Sequence, residues 1–154
     1  MENTKIVMAI AVPAVAIALA TLIIPYESHA QSNNFQYTGI KREFWLFNSN
    51  IPDFNETKMA MPHDVYSMPS IIVNKGDTVV IHFFNTEPKG GDHHSFTISD
   101  NAYNINVEVS PRENKTITFD ATTAGIFPFI CTFHQPTMKG QLIVEPTTSL
   151  KSPI

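Results

Sequence analysis

An all-β fold, an antiparallel Greek-key β-sandwich of seven to eight strands, is what this sequence predicts, and three observations carry it. From Phe35 onward the chain breaks into short runs rich in aromatic and β-branched residues. Each run is bounded by Gly, Pro, Asn or Asp, the residues that punctuate strands. Beyond residue 30 no stretch keeps a helical apolar period, so no helical layer is expected.

Taken in order, the first thirty residues stand apart. Ile6 to Ile24 is an apolar run broken by Pro13 and Thr21, preceded by Lys5 and followed by Ser28-His29-Ala30. A charged start, an apolar middle and a small-residue exit read as an export signal. The run is longer than a usual signal core, so a membrane anchor through residues 6–24 is the competing reading. Either way, 1–30 is a signal peptide or anchor, and 31–154 is one exported domain, periplasmic, pseudo-periplasmic or extracellular.

The expected strands follow. Phe35–Phe47 opens the domain, with Trp45 expected in its core. Ile71–Val73 leads through the turn signal Lys75-Gly76-Asp77 into Thr78–Phe84. His94–Ile98, Ile105–Val109, Thr116–Phe119, Phe127–Thr132 and Gln141–Val144 complete the set. Between the first two strands, Asn48–Pro69 carries three prolines and reads as a long loop with one helical turn. Loops of that length are commonly functional. The tail from Pro146 carries no strand signal.

Without residues 1–30 the chain has nine Lys/Arg against twelve Asp/Glu, a net charge of −3. No basic run exists, which excludes the usual footprint of a nucleic-acid binder. The 124 remaining residues allow one real core and not two. There is one cysteine, so no internal disulfide can form, and a lone thiol in an oxidising compartment is a liability unless buried or ligated. Asn55-Glu56-Thr57 and Asn114-Lys115-Thr116 fit a glycosylation acceptor pattern, which agrees with export.

That cysteine lies in "FPFICTFHQPTMKGQLIVE", with His134 three residues on and Met138 four beyond that. A thiolate, an imidazole and a thioether form a soft donor set that suits copper. A second histidine is required, and "GDHHSFTIS" supplies His93 and His94 at a strand entry. Strand alternation turns the two to opposite faces, so only one can serve.

Residues 71–145 resemble the cupredoxin family, the plastocyanin, amicyanin and azurin type of small blue copper protein. The resemblance maps "HSFTI" onto the upstream ligand strand, which selects His94. Cys131 and His134 match the Cys-x2-His loop of plastocyanins and amicyanins, Met138 matches the axial methionine, and "MKGQLIVE" matches the closing strand. One departure stands out. Three residues separate His134 from Met138, whereas plastocyanins have four and amicyanins two, so Met138 and an open or water-filled axial position are both readings here.

What the resemblance implies is one type 1 copper per chain and single-electron transfer between redox partners that dock transiently near the edge of His134, among Gln135, Pro136 and apolar neighbours. Ser95 is expected to touch the site through its N–H or hydroxyl. Two other classes stand against the carrier: a small-molecule enzyme, for example one acting on nitric oxide at an open axial position, and a copper carrier. The second would use Met59, Met61, His63 and Met68, since thioethers bind Cu(I). The plainer reading of those methionines is flexible apolar packing. His82, mid-strand in "VVIHFF", reads as a satisfied or edge histidine.

Overall fold

In the computed structural model, residues 37–147 are described; the expected signal or anchor, residues 1–30, lies outside them. Among the described residues nine strands form two sheets with side-chain alternation. The four-stranded sheet runs β2 (Asp64–Tyr66), β1 (Lys41–Asn50), β4 (Thr78–Phe84), β7 (Asn114–Asp120). The five-stranded sheet runs β3 (Ser70–Asn74), β9 (Lys139–Glu145), β8 (Gly125–Ile130), β5 (His94–Ser99), β6 (Asn104–Val109).

All eight expected strands are present, and β2 is a ninth, set in the long loop after a single helical turn, α1 (Glu56–Met59). Asn55 caps that turn by accepting from the Lys58 N–H at 2.8 Å. The sheets are mixed rather than wholly antiparallel, because β1 pairs parallel with β4 and β3 parallel with β9. Those pairs are joined by crossovers, while the consecutive pairs β5–β6 and β8–β9, and also β4–β7, are antiparallel.

The core is the two inward faces. Val79, Ile81 and Phe83 of β4 alternate inward against Phe96 and Ile98 of β5, Phe127 and Phe129 of β8, and Leu142 and Val144 of β9. Phe96 stacks on Phe129 at 4.8 Å between ring centres, and Tyr66 meets Phe129 edge-on at 5.0 Å. Trp45 is not in this core. It is 52% exposed and stacks on His82 across the outer face of the β1–β4 pair, because Phe44 and Leu46 hold the inward positions. His82 is satisfied there by Thr116 Oγ1 at 3.1 Å.

The turn signal before β4 carries more than a turn. Asp77 is fully buried and accepts from the N–H groups of Ile40 and Asn74, both at 2.9 Å, from Arg42 Nε at 3.3 Å, and from the Tyr37 hydroxyl. Burial pushes its carboxyl up, but those donors outweigh it and hold the group below its ordinary value. It fastens the start of β1 to the β3–β4 turn.

Candidate metal centre

Period-two alternation delivers the candidate ligands. On β5 the inward positions are His94, Phe96 and Ile98; continuing the inward parity of β8 past Phe127 and Phe129 gives Cys131; running β9 backward through Leu142 and Gly140 gives Met138. His94, Cys131 and Met138 are each fully buried, at the end of the core where the Cys131–Met138 loop crosses between β8 and β9. His93, one position earlier than His94, is half exposed and pairs with Glu108 at 2.9 Å.

Three donor atoms converge. His94 Nδ1 lies 3.1 Å from His134 Nδ1; Cys131 Sγ lies 3.5 Å from His134 Nδ1 and 4.0 Å from His94 Nδ1. Tetrahedral bonds of about 2.0 Å to nitrogen and about 2.3 Å to sulfur put such atoms about 3.3 and 3.5 Å apart. Two imidazole lone pairs and a thiol sulfur aimed at one another repel unless a proton or a cation lies between them. A soft metal ion fits this donor set.

The loop is held by its own backbone. Cys131 N–H donates to Met138 O at 3.0 Å, and Met138 N–H to His134 O at 2.9 Å. Gln135 Nε2 donates to the carbonyls of both Cys131 and Met138, at 2.8 and 2.9 Å. Ser95 takes both of its expected parts. Its N–H points at Cys131 Sγ from 3.4 Å, and its hydroxyl accepts from the Thr132 N–H at 2.9 Å. A donor to the sulfur withdraws electron density from it, a lever on any metal bound there.

What lies behind the rings has no signature in the sequence. Asp64 of β2, 3% exposed, sets Oδ1 3.7 Å from His94 Nε2 and Oδ2 3.6 Å from His134 Nε2. Glu87 Oε1 is 3.9 Å from His94 Nε2, and Asp92 Oδ2 is 3.8 Å from His134 Nε2. Burial pushes His94 down to about 4, against the pull of the Asp64 carboxylate and with the push of His134. It is therefore neutral at pH 7, the state a ligand needs.

The edge of His134 opens into a cleft of about 430 Å³ lined by Glu56, Thr57, Met61, Pro62, Asp64 and Asp92. The sequence predicts apolar surroundings there, and the structure has carboxylates, Glu56 from α1, Asp64 from β2 and Asp92 from the β4–β5 loop. Met59 is exposed, Met61 lines the cleft, and Met68 packs against the core. His63 is engaged by Glu56, which accepts from its Nδ1 at 2.6 Å and its N–H at 2.8 Å; this hydrogen bond holds His63 above and Glu56 below their ordinary values. The four residues thus sit in four different surroundings.

A family model described as a cupredoxin-like domain matches residues 15–144. Among solved structures, the chain is similar to a copper nitrite reductase from Nitrosomonas europaea, at 21% identity over 74% of this chain and 45% of that one, with a TM-score of 0.55. It is also similar to a reduced auracyanin from Roseiflexus castenholzii, at 20% identity over 70% of this chain and all of that one, with a TM-score of 0.50. A rusticyanin variant matches at 19% identity over 71% of this chain and 80% of that one, with a TM-score of 0.52. The chain spans under half of the nitrite reductase and 23% of a similar laccase from Botrytis aclada.

Proposed function

The chain belongs to the cupredoxin-like domain family, and on that premise we propose that it is an exported carrier of single electrons with one type 1 copper held by His94, Cys131 and His134, and by Met138 on the axial side. The observation that carries the reading is the convergence of His94 Nδ1, His134 Nδ1 and Cys131 Sγ at one end of a rigid sandwich. Bound copper supplies a one-electron couple. The protein's part is to hold two nitrogens and a sulfur so that little rearrangement accompanies gain or loss of the electron. Cys131 is buried away from oxidants and held as a ligand, which removes the liability of a lone exported thiol.

The two alternatives fit less well. Glu56, Asp64 and Asp92 line the cleft beside His134 and repel a small anion, while an uncharged substrate such as nitric oxide would still need the axial position that the buried Met138 is proposed to fill. A copper carrier would need its thioethers gathered, and Met59, Met61 and Met68 have separate surroundings. The same carboxylates favour a redox partner with a basic docking face, whose association slows as salt is added.

Absorption and EPR spectra of the copper-loaded protein test the reading. One equivalent of Cu(II) is expected to give an intense thiolate-to-copper band, and Cys131→Ser to abolish it while leaving the sandwich folded. Colour that survives Cys131→Ser, or none in the unmutated protein, defeats the reading.

A further inference from the structure

We propose that Asp64 is a positioning residue that accepts the outward N–H of both His94 and His134 and so turns the lone pairs of both Nδ1 atoms toward Cys131. The inference rests on the metal-site reading above and adds a residue to it.

Two burial problems meet at this point. Among the described residues His94 Nε2 is buried with no hydrogen-bond partner, a state that is costly if it persists. Asp64 is a carboxylate buried nearly as fully, and such a charge is unfavourable there unless donors surround it. Each group is what the other lacks. Both separations, 3.7 and 3.6 Å, exceed a formed N–H···O bond by about 0.7 Å, a gap that a small ring rotation closes.

Asp64 also differs from its neighbours in reaching both rings, one oxygen to each. Glu87 reaches only His94, and its Oε1 already accepts from Asn48 Nδ2 at 2.9 Å. Asp92 reaches only His134 and is 68% exposed. The backbone fixes Asp64 independently of either histidine. It pairs with Asn50 across β1 and β2, Ile51 N–H donates to His63 O at 2.8 Å, and two residues on, the Tyr66 hydroxyl donates to Ser95 O at 2.6 Å. That last bond ties β2 to the residue beside His94.

A neutral imidazole has a single N–H. If a carboxylate holds it at Nε2, the lone pair is left at Nδ1, so one side chain sets the tautomer of two rings. An acceptor on the far side of a ligand ring also raises its basicity, and a negative charge there favours the more highly charged metal ion.

Asp64→Asn is nearly isosteric, but its amide can accept from one ring only and turns a donor toward the other. Nitrogen-15 NMR of the metal-free protein is expected to show both rings as the Nε2–H tautomer, and the variant to show one ring as a mixture. In the copper-loaded protein the variant is expected to bind Cu(II) about 10–100-fold more weakly. Cu(I) binding is expected to fall about tenfold less, raising the reduction potential by about 59 mV. Glu108→Gln removes an exposed charge beside His93 instead, and is expected to change neither tautomers nor potential. Unchanged tautomers and potential in Asp64→Asn would overturn the proposal. So would mixed tautomers in the unmutated protein, a measurement that stands even if the variant does not fold. An unmutated protein that takes up no coloured copper while its rings are fixed by Asp64 would defeat the metal-site reading and leave the tautomer assignment standing.

Discussion

His93 and His94 are adjacent in sequence and have opposite fates, one half exposed against Glu108 and the other fully buried beside Cys131. His94→Ala is expected to destroy the charge-transfer spectrum, whereas His93→Ala shifts it slightly; reversed effects would mean the register of β5 is displaced by one residue. Met138 is buried on the same loop, and its replacement tests its sulfur. Met138→Leu is expected to keep the colour and raise the potential by about 59 mV, a tenfold shift in the one-electron equilibrium, because leucine gives Cu(II) no electron density. An unchanged potential, with a spectrum in the unmutated protein that responds to azide, would favour an open axial position. These residues were legible because their spacing is local: a three-residue step from cysteine to histidine, and strict alternation along one strand. Asp64 was not, because nothing near it in sequence announces that its neighbours are two histidines 30 and 70 residues further on.

At the scale of elements, legibility tracked alternation. β5, β8 and β9 present apolar side chains on one parity and could be assigned to a face. In "EFWLF" of β1 both parities are apolar, so the pattern does not say which of Trp45 and Leu46 turns inward, and Trp45 lies outside. β2 is three residues between prolines, a length that carries no period at all, and only its pairing with β1 makes it a strand. β9 offers the sharpest test of an element's role. Gly140 pairs with Phe129, and a Cβ there would lie 2.3 Å from the Phe129 ring and 2.7 Å from Pro69 O. Gly140→Ala is therefore expected to destabilise the protein by about 2–3 kcal/mol. It also displaces the strand that begins one residue after Met138, so the copper spectrum should shift with the melting temperature. A variant with unaltered melting would mean that the ring yields freely.

For the whole molecule, acid is the informative stress. His94 has a folded-state pKa of about 4 against an ordinary 6.5. The unfolded chain therefore binds the extra proton across that window, and stability of the metal-free protein falls as pH drops from 6.5 to about 4, by roughly 2–3 kcal/mol. Asp77 adds a second loss further down: its pKa is depressed, so its contribution is present above 3.8 and disappears as pH falls through its folded value. Urea titrations at stepped pH check both, and His94→Ala should remove the first decline alone. The parallel pairing of β9 with β3 has a consequence for biosynthesis. Ser70 and Gln141 are partners 71 residues apart, and the loop from Cys131 to Met138 is closed only when β9 docks. Such remote pairings fold in about milliseconds to seconds. A nascent chain still lacking its last strand therefore exposes its one thiol and has gathered no ligand set. Metal uptake must follow the final docking event, and in refolding the thiol should resist alkylation only when the β9 amides become protected.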